Sequence, residues 1–176
     1  MFRNKTEKIS STPGFGSKFI YTINYVAKAV SSAFENDSNA ELLDYDVEAS
    51  AQALSTCFQQ FFSQCRDSKR VFEKEKLDKE EAGFFRETCL LGVSVGLEIL
   101  GKLLYCTYDE ETNSFDEDKV SQLAKLDWSR ESSLWKDNVV RIDSNPKNPA
   151  KPYKISANAG AVSTAVKIVK AKLEWK

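Results

Sequence analysis

The chain has 176 residues, of which 41% are hydrophobic and 29% are charged, which is typical of one soluble globular domain rather than of a membrane or disordered protein. Its formal net charge is −1, which excludes an attraction of the whole molecule to nucleic acid or to a membrane surface. The sequence contains no histidine, so it lacks the commonest general base and the commonest metal ligand of proteins.

The cysteines give no sign of a metal or redox site. Cys57, Cys65, Cys89 and Cys106 show no CxxC spacing, and three of them lie in apolar helical stretches, so zinc and redox motifs are not expected. We interpret them as reduced core residues of a cytoplasmic protein, with disulfides as the alternative. The polar first residues contain no signal peptide pattern.

Residues 1–16 are polar and contain the turn signal Thr12-Pro13-Gly14, which predicts a loose N-terminal segment. A single helical domain is predicted to follow over residues 17–176. Its first helix is predicted to begin at Ser17, because apolar residues recur at helical spacing from Phe19 to Phe34.

A second helix is predicted after Asp44 or Asp46, because either carboxylate can cap its first turn. Its apolar face runs from Val47 to Cys65 and is rich in phenylalanine. Core packing is the simplest role for this aromatic stripe, although it could instead line a ligand pocket. The mixed charges of residues 69–81 fit either an exposed helix or a long linking turn.

Residues 84–106 are the most apolar stretch of the chain. Wound as a helix, this stretch has one narrow polar line, on which Glu98 and Lys102 form a favourable i,i+4 pair. Charged residues interrupt it well short of the about 20 uncharged residues that a bilayer requires, so no membrane contact is predicted. We predict one continuous buried helix over residues 84–106, in which Gly92 and Gly96 allow a second helix to cross closely.

A short helix is predicted from Asp116 to about Leu126, with acidic residues at its N-terminus where the helix dipole favours them. Ser129 is placed to cap one further helical turn. Trp128 and Trp135 are spaced so that both lie on the same side of the chain.

The C-terminal part combines a possible strand pair with a last helix. Residues 138–156 are predicted to form a small β-hairpin or an irregular element. A closing helix is predicted to begin near Ser156 or Asn158. The fold class is therefore mainly α, a helical bundle around the central helix with one small β element.

Charge is distributed unevenly along the chain. Residues 35–48 carry six acids and no base, and residues 109–118 carry six more acids. From Ser144 onward, the sequence contains seven lysines and only one acid, Glu174. The first of these lysines precede a helix N-terminus, whose free amides could bind a phosphate. A solvated basic loop is the simpler interpretation of these residues alone.

No catalytic constellation, metal site or cofactor site is predicted. Gly14-Phe15-Gly16 lacks the third glycine and the preceding strand of a dinucleotide-binding loop. Neither acidic run has the ligand spacing of a calcium loop. Asp127 and Arg130 are close in sequence, and their simplest role is an ion pair that fixes a turn.

Several short motifs together resemble the DndB family of DNA sulfur-modification (phosphorothioation) proteins, also called DGQHR-domain proteins. The segment Leu126-Asp127-Trp128-Ser129-Arg130, followed by Trp135, Arg141 and Lys154-Ile155-Ser156-Ala157-Asn158, is similar to the C-terminal pattern of that family. Residues 17–34 and 85–104 look like its earlier helices. The name-giving DGQHR motif lies in an N-terminal ParB-like domain and cannot occur in a chain without histidine. The chain therefore resembles the C-terminal helical part of larger members.

The resemblance implies a non-catalytic, DNA-binding regulator of transcription in a DNA phosphorothioate modification and defence system. The residues expected to contact DNA are Arg130, Arg141, Lys147, Lys151, Lys154, Lys167 and Lys170. Those expected to have a structural role in the family motif are Asp127, Trp128, Ser129, Arg130, Trp135 and Asn158.

The sequence leaves two other functions open. The first is an interaction or scaffold module that packs on a ParB-like DGQHR domain, on a partner subunit or in a homo-oligomer. The second is an enzyme active on nucleotides or DNA, which would need a metal site made of acids alone.

Overall fold

The computed structural model describes residues 1–7, 13–14, 16–144 and 152–175. Within these ranges the α-helices are α1 (Ile23–Glu35), α2 (Val47–Gln64), α3 (Arg66–Glu73), α4 (Lys79–Thr88), α5 (Ser94–Tyr105), α6 (Glu117–Ala124) and α7 (Ala159–Lys172). The strands are β1 (Thr6–Glu7), β2 (Tyr21–Thr22), β3 (Tyr108–Asp109), β4 (Ser114–Phe115), β5 (Val140–Ile142) and β6 (Tyr153–Ile155). β1 pairs with β2 in parallel, whereas β3–β4 and β5–β6 are antiparallel pairs. The predicted mainly α fold with a small β element is confirmed.

Helix α5 is the centre of the core. Its residues Leu97, Ile99, Leu100 and Leu103 are fully buried, and α1 and α7 pack against it. Burying an aliphatic side chain of this size stabilises the fold by about 1.5–3 kcal/mol. Helices α2 and α6 pack against each other beside this centre.

The predicted continuous helix over residues 84–106 is wrong. The chain leaves α4 at Cys89, makes a 3-10 turn over Leu90–Gly92 and re-enters a helix as α5. Cys89 and Val93 have extended backbones, with ψ angles of 134° and 159°. The stretch is buried as predicted, but as two helices joined by a tight connection.

The glycines of this stretch serve the break and not a helix crossing. A Cβ atom at Gly92 would lie 2.6 Å from the carbonyl oxygen of Phe85, and one at Gly96 would lie 1.9 Å from that of Leu90. The first clash is with α4 and the second is with the 3-10 turn. The close crossing instead occurs at Gly101, where a Cβ atom would lie 2.5 Å from the carbonyl oxygen of Ala29 in α1.

The first residues pack on the core. The ring of Phe2 lies 5.3 Å from Phe58 and 5.7 Å from Tyr21 between centroids. The carbonyl oxygen of Lys5 accepts the backbone N–H groups of Ile20 and Tyr21 at 2.9 and 3.0 Å. Next to this pairing, β2 keeps Tyr21 and Thr22 extended, so α1 begins at Ile23 and not at Ser17 as predicted.

Three predicted helix starts are confirmed by their caps. The side chain of Asp46 accepts from Ala49, that of Asp116 accepts from Lys119, and that of Asn158 accepts from Ala161. Each carboxylate or amide oxygen satisfies a backbone donor that the first turn of a helix leaves free. Residues 69–81 form the end of α3, a short connection and the start of α4. The sequence allows either an exposed helix or a long linking turn here, and the structure contains two helix ends joined by a short connection.

The described residues contain no disulfide, no metal-binding cluster and no membrane-spanning helix. All four cysteines are free thiols, and Cys57, Cys65 and Cys89 are buried. Burial raises the pKa of the Cys57 thiol to about 12. No group of three or more Cys, Asp or Glu side chains in the described ranges could hold a metal ion. No described helix is long and apolar enough to span a bilayer.

Candidate nucleic-acid interface

The two tryptophans of the motif form a stacked pair in the core. The rings of Trp128 and Trp135 lie 4.9 Å apart between centroids with an interplanar angle of 30°, and both side chains are fully buried. The Nε1–H of Trp128 donates to the carbonyl oxygen of Leu123 at 3.0 Å, and that of Trp135 donates to the carbonyl oxygen of Asp127 at 2.8 Å. Each indole therefore buries its surface and satisfies its one donor.

The backbone around Trp128 is what breaks the central helix. The carbonyl oxygen of Trp128 accepts the N–H of Leu90 at 2.8 Å, and Cys89 pairs with Ser129 in an isolated β-bridge. In a continuous helix the N–H of Leu90 would bond to the carbonyl oxygen of Arg86. The motif thus replaces an intrahelical bond by a bond between two distant segments.

Arg130 takes up the carbonyl groups that the break leaves free. Its Nη2 donates to the carbonyl oxygen of Arg86, and its backbone N–H donates to that of Thr88 at 2.8 Å. The residue is only 9% exposed, and burial lowers the pKa of its guanidinium. Its Nε–H is buried with no partner among the described residues. Arg130 is expected both to contact DNA and to have a structural role; its described contacts are to backbone carbonyl groups of α4.

The predicted ion pair between Asp127 and Arg130 is wrong, because no salt bridge between described residues joins them. The Oδ1 of Asp127 instead accepts the N–H of Ser129 at 3.0 Å and lies 3.9 Å from the Arg66 guanidinium. Ser129 caps no helical turn, since residues 130–135 form turns. Sequence reasoning missed Asp67, whose Oδ2 accepts the N–H of Trp128 at 2.7 Å; no local spacing points to it.

The strand pair β5–β6, with the sequence between its strands, is here called the basic hairpin. Its register pairs Val140 with Ile155, Arg141 with Lys154, and Ile142 with Tyr153. Paired residues of antiparallel strands lie on the same face of the sheet. Arg141 and Lys154 therefore stand side by side on one face, and both are exposed.

The start of β5 anchors the basic hairpin to the tryptophan pair. Val139 and Val140 are fully buried, and the N–H of Val140 donates to the carbonyl oxygen of Trp135 at 2.9 Å. The N–H of Ser156 donates to the carbonyl oxygen of Val139 at 2.8 Å. The position of the cationic face is thus fixed by the core beneath it.

Of the four remaining residues that are predicted to contact DNA, two belong to the described part of the chain. Lys147 and Lys151 lie outside the described residues. Lys167 is exposed and Lys170 is half-buried on α7, and their i,i+3 spacing puts them on one side of the helix. Asn158 caps this helix and its Nδ2 donates to the Oγ of Ser156 at 2.8 Å.

The comparisons with known proteins agree with the sequence motifs. The model of a family described as "DndB: DNA-sulfur modification-associated" matches residues 1–176. No curated protein and no solved structure matches the chain significantly. The family match includes the segments that build the tryptophan pair and the basic hairpin.

Proposed function

Because the chain belongs to the DndB family of DNA-sulfur modification-associated proteins, we propose that it is a non-catalytic regulator of that system which contacts DNA through the basic hairpin. Its role in DNA sulfur modification follows from the family. The regulatory role, the DNA contact and the residues that make it are the proposal. DNA as the partner would place the protein in the cytoplasm.

The observation that carries the proposal is the cross-strand cation pair Arg141–Lys154 of the basic hairpin. Like charges directly opposite in an antiparallel pair destabilise the sheet. No salt bridge between described residues includes Arg141 or Lys154. A bound phosphate would remove this repulsion, because it accepts charge-assisted hydrogen bonds from both cations.

The sequence next to the pair is also rich in lysine. Lys147 and Lys151 belong to the sequence that joins the two strands, and Lys167 and Lys170 follow on α7. With one cation in each strand and α7 following β6 in the sequence, the arrangement suits contacts to a phosphate backbone. Such contacts position a protein on DNA and carry no direct sequence information.

The test is a fluorescence anisotropy titration of labelled duplex DNA at several salt concentrations. We expect the double variant Arg141→Ala/Lys154→Ala to bind more weakly than the unchanged chain. The slope of log affinity against log salt should fall by about 1 for each lost phosphate contact, and so by about 2 here.

The matched control is Lys28→Ala/Lys125→Ala, which removes the same charge from two other exposed positions. It should change neither the affinity nor the slope by a comparable amount. Equal losses of DNA affinity in both double variants would show that only the net charge of the protein matters. If the isolated chain does not bind DNA at low salt, the proposed DNA contact is wrong for this chain.

The alternative function is a module that packs on a ParB-like domain or on a partner subunit. The large exposed apolar side chains favour it, since Leu43, Val47 and Phe84 are 80%, 77% and 70% exposed. This alternative predicts a stable complex with another protein of the system and no dependence of DNA affinity on Arg141 and Lys154.

A further inference from the structure

An open apolar groove of about 320 Å³ lies between α1, α2 and the N-terminal residues. Val30 and Phe34 of α1 form one wall, and Leu54 and Phe58 of α2 form the other. The rim at Val47 is exposed to solvent. A groove between two helices with this lining is the shape that takes the apolar face of an amphipathic helix.

An acidic cavity of about 390 Å³ adjoins this groove and shares Tyr45 and Ser50 with it. Its acidic lining residues are Glu35, Asp44, Asp46 and Glu110. The two acidic runs of the sequence meet here, because Phe34 packs edge-on against Tyr108 with centroids 4.9 Å apart. Neither cavity is lined by a basic side chain among the described residues.

Tyr45 and Tyr108 line the acidic cavity, and the pKa of each hydroxyl is raised. The hydroxyl of Tyr45 donates to Glu35 at 2.8 Å, and burial, followed by the bond to Glu35, raises its pKa. The pKa of Tyr108 is raised mainly by burial and, to a smaller extent, by the negative charge of Glu110. Lys102 lies close by, but its Nζ donates to the carbonyl oxygen of Asn36.

We propose that this groove binds a cationic amphipathic helix of a partner protein, with apolar side chains in the groove and lysine or arginine side chains over the acidic cavity. Charge complementarity selects this occupant, because a neutral apolar helix would leave the acids unpaired and an acidic one would be repelled. The acids also repel phosphates, so this surface is distinct from the basic hairpin. The inference goes beyond the DNA contact and does not depend on it.

The test uses the full chain and a fluorescein-labelled helical peptide that has leucines at i, i+3, i+4 and i+7 and lysines elsewhere. A matched peptide carries glutamate in place of lysine. We expect the lysine peptide to bind and the glutamate peptide not to bind in anisotropy titrations. Ala51→Trp should weaken binding by about tenfold or more, because an indole at this exposed lining position fills the groove.

Charge reversal provides the second arm. Asp44→Lys changes an exposed acid of the acidic cavity that caps no helix, and it should weaken binding of the lysine peptide. Glu75→Lys, at an exposed position outside both cavities, should not. Circular dichroism checks that each variant folds, and DNA binding by Ala51→Trp should be unchanged.

Four results would overturn the proposal. They are no binding of the lysine peptide to the unchanged chain, equal binding by Ala51→Trp, equal binding of the glutamate peptide, and a dimer in sedimentation that Ala51→Trp dissociates. The last result would make a second copy of the chain the occupant. None of the four bears on the DNA contact, so the two proposals fail separately.

Discussion

The backbone N–H of Leu90 donates to the carbonyl oxygen of Trp128 at 2.8 Å, and this bond organises the centre of the molecule. It diverts Leu90 from its helical acceptor, so α4 and α5 become separate helices. It also holds the tryptophan pair next to this break. The basic hairpin begins shortly after Trp135. The family motif is thus a structural connection between the core and the proposed DNA-binding face.

Replacing Trp135 with alanine should destabilise the protein strongly. The side chain is fully buried and stacks on Trp128, and a buried tryptophan truncated to alanine typically costs about 3–5 kcal/mol. Urea denaturation followed by far-UV circular dichroism measures this. Trp175→Ala is the control, because Trp175 is only half-buried and hydrogen-bonds to Gln122 near the C-terminus. Equal losses in the two variants would contradict the central role of the tryptophan pair.

Two glycine-to-alanine substitutions should have opposite signs. Gly101→Ala places a Cβ atom 2.5 Å from the backbone of Ala29, so α1 and α5 must separate at a cost of about 1–3 kcal/mol. At Gly83 in α4 the nearest atom lies 4.0 Å away, at the tip of the Arg86 side chain. Gly83→Ala should therefore stabilise the protein by about 0.5–1 kcal/mol through helix propensity.

Chemical denaturation of both glycine variants decides this prediction. A Gly101→Ala variant as stable as the unchanged chain would show that α1 and α5 are not in the close contact described here. A destabilised Gly83→Ala would show that the surroundings of α4 are more crowded than the structure indicates.

Much of the fold could be predicted from the sequence, because it depends on local spacing. The apolar periodicity of α2 and α7 and the caps Asp46, Asp116 and Asn158 act within one or two helical turns. The break at Cys89 could not be predicted in this way. The stretch has the apolar periodicity of one helix, and the group that interrupts it, the carbonyl of Trp128, lies far away in sequence.

The candidate site shows the same division. Arg141 and Lys154 could be placed on strands from a short alternating pattern, and their pairing follows from the hairpin. Arg130 has the same charge and stands near them in sequence, yet it is buried. Only the tertiary structure distinguishes the two cases, because the burial of Arg130 depends on free carbonyl groups at the end of α4.

The thiols should differ in reactivity. Burial raises the pKa of Cys57 to about 12 and raises that of Cys89 as well, and thiolates rather than thiols react with alkylating reagents. At pH 8, iodoacetamide should therefore modify the half-buried Cys106 first. Peptide mass spectrometry over time measures the order of modification. Faster labelling of Cys57 or Cys89 in the folded protein would contradict their described burial. In denaturant, all four cysteines should react at similar rates.

The cap of α6 should make stability dependent on pH in the acidic range. The backbone N–H of Lys119 and then its ammonium group hold the pKa of Asp116 below its usual value. A carboxyl whose pKa is lower in the folded state stabilises the protein above its unfolded-state pKa, and this contribution is lost as pH falls through the folded-state pKa. Asp116→Asn keeps a good capping side chain but cannot titrate. The stability difference between the unchanged chain and Asp116→Asn should therefore shrink between pH 6 and pH 2. The change should be less than about 1 kcal/mol, because solvent screens a partly exposed carboxylate.

Asp118→Asn, in the same first turn but outside the cap, is the control in urea denaturation at each pH. A difference that stays constant, or that grows as pH falls, would show that this carboxylate does not stabilise the helix in its charged form.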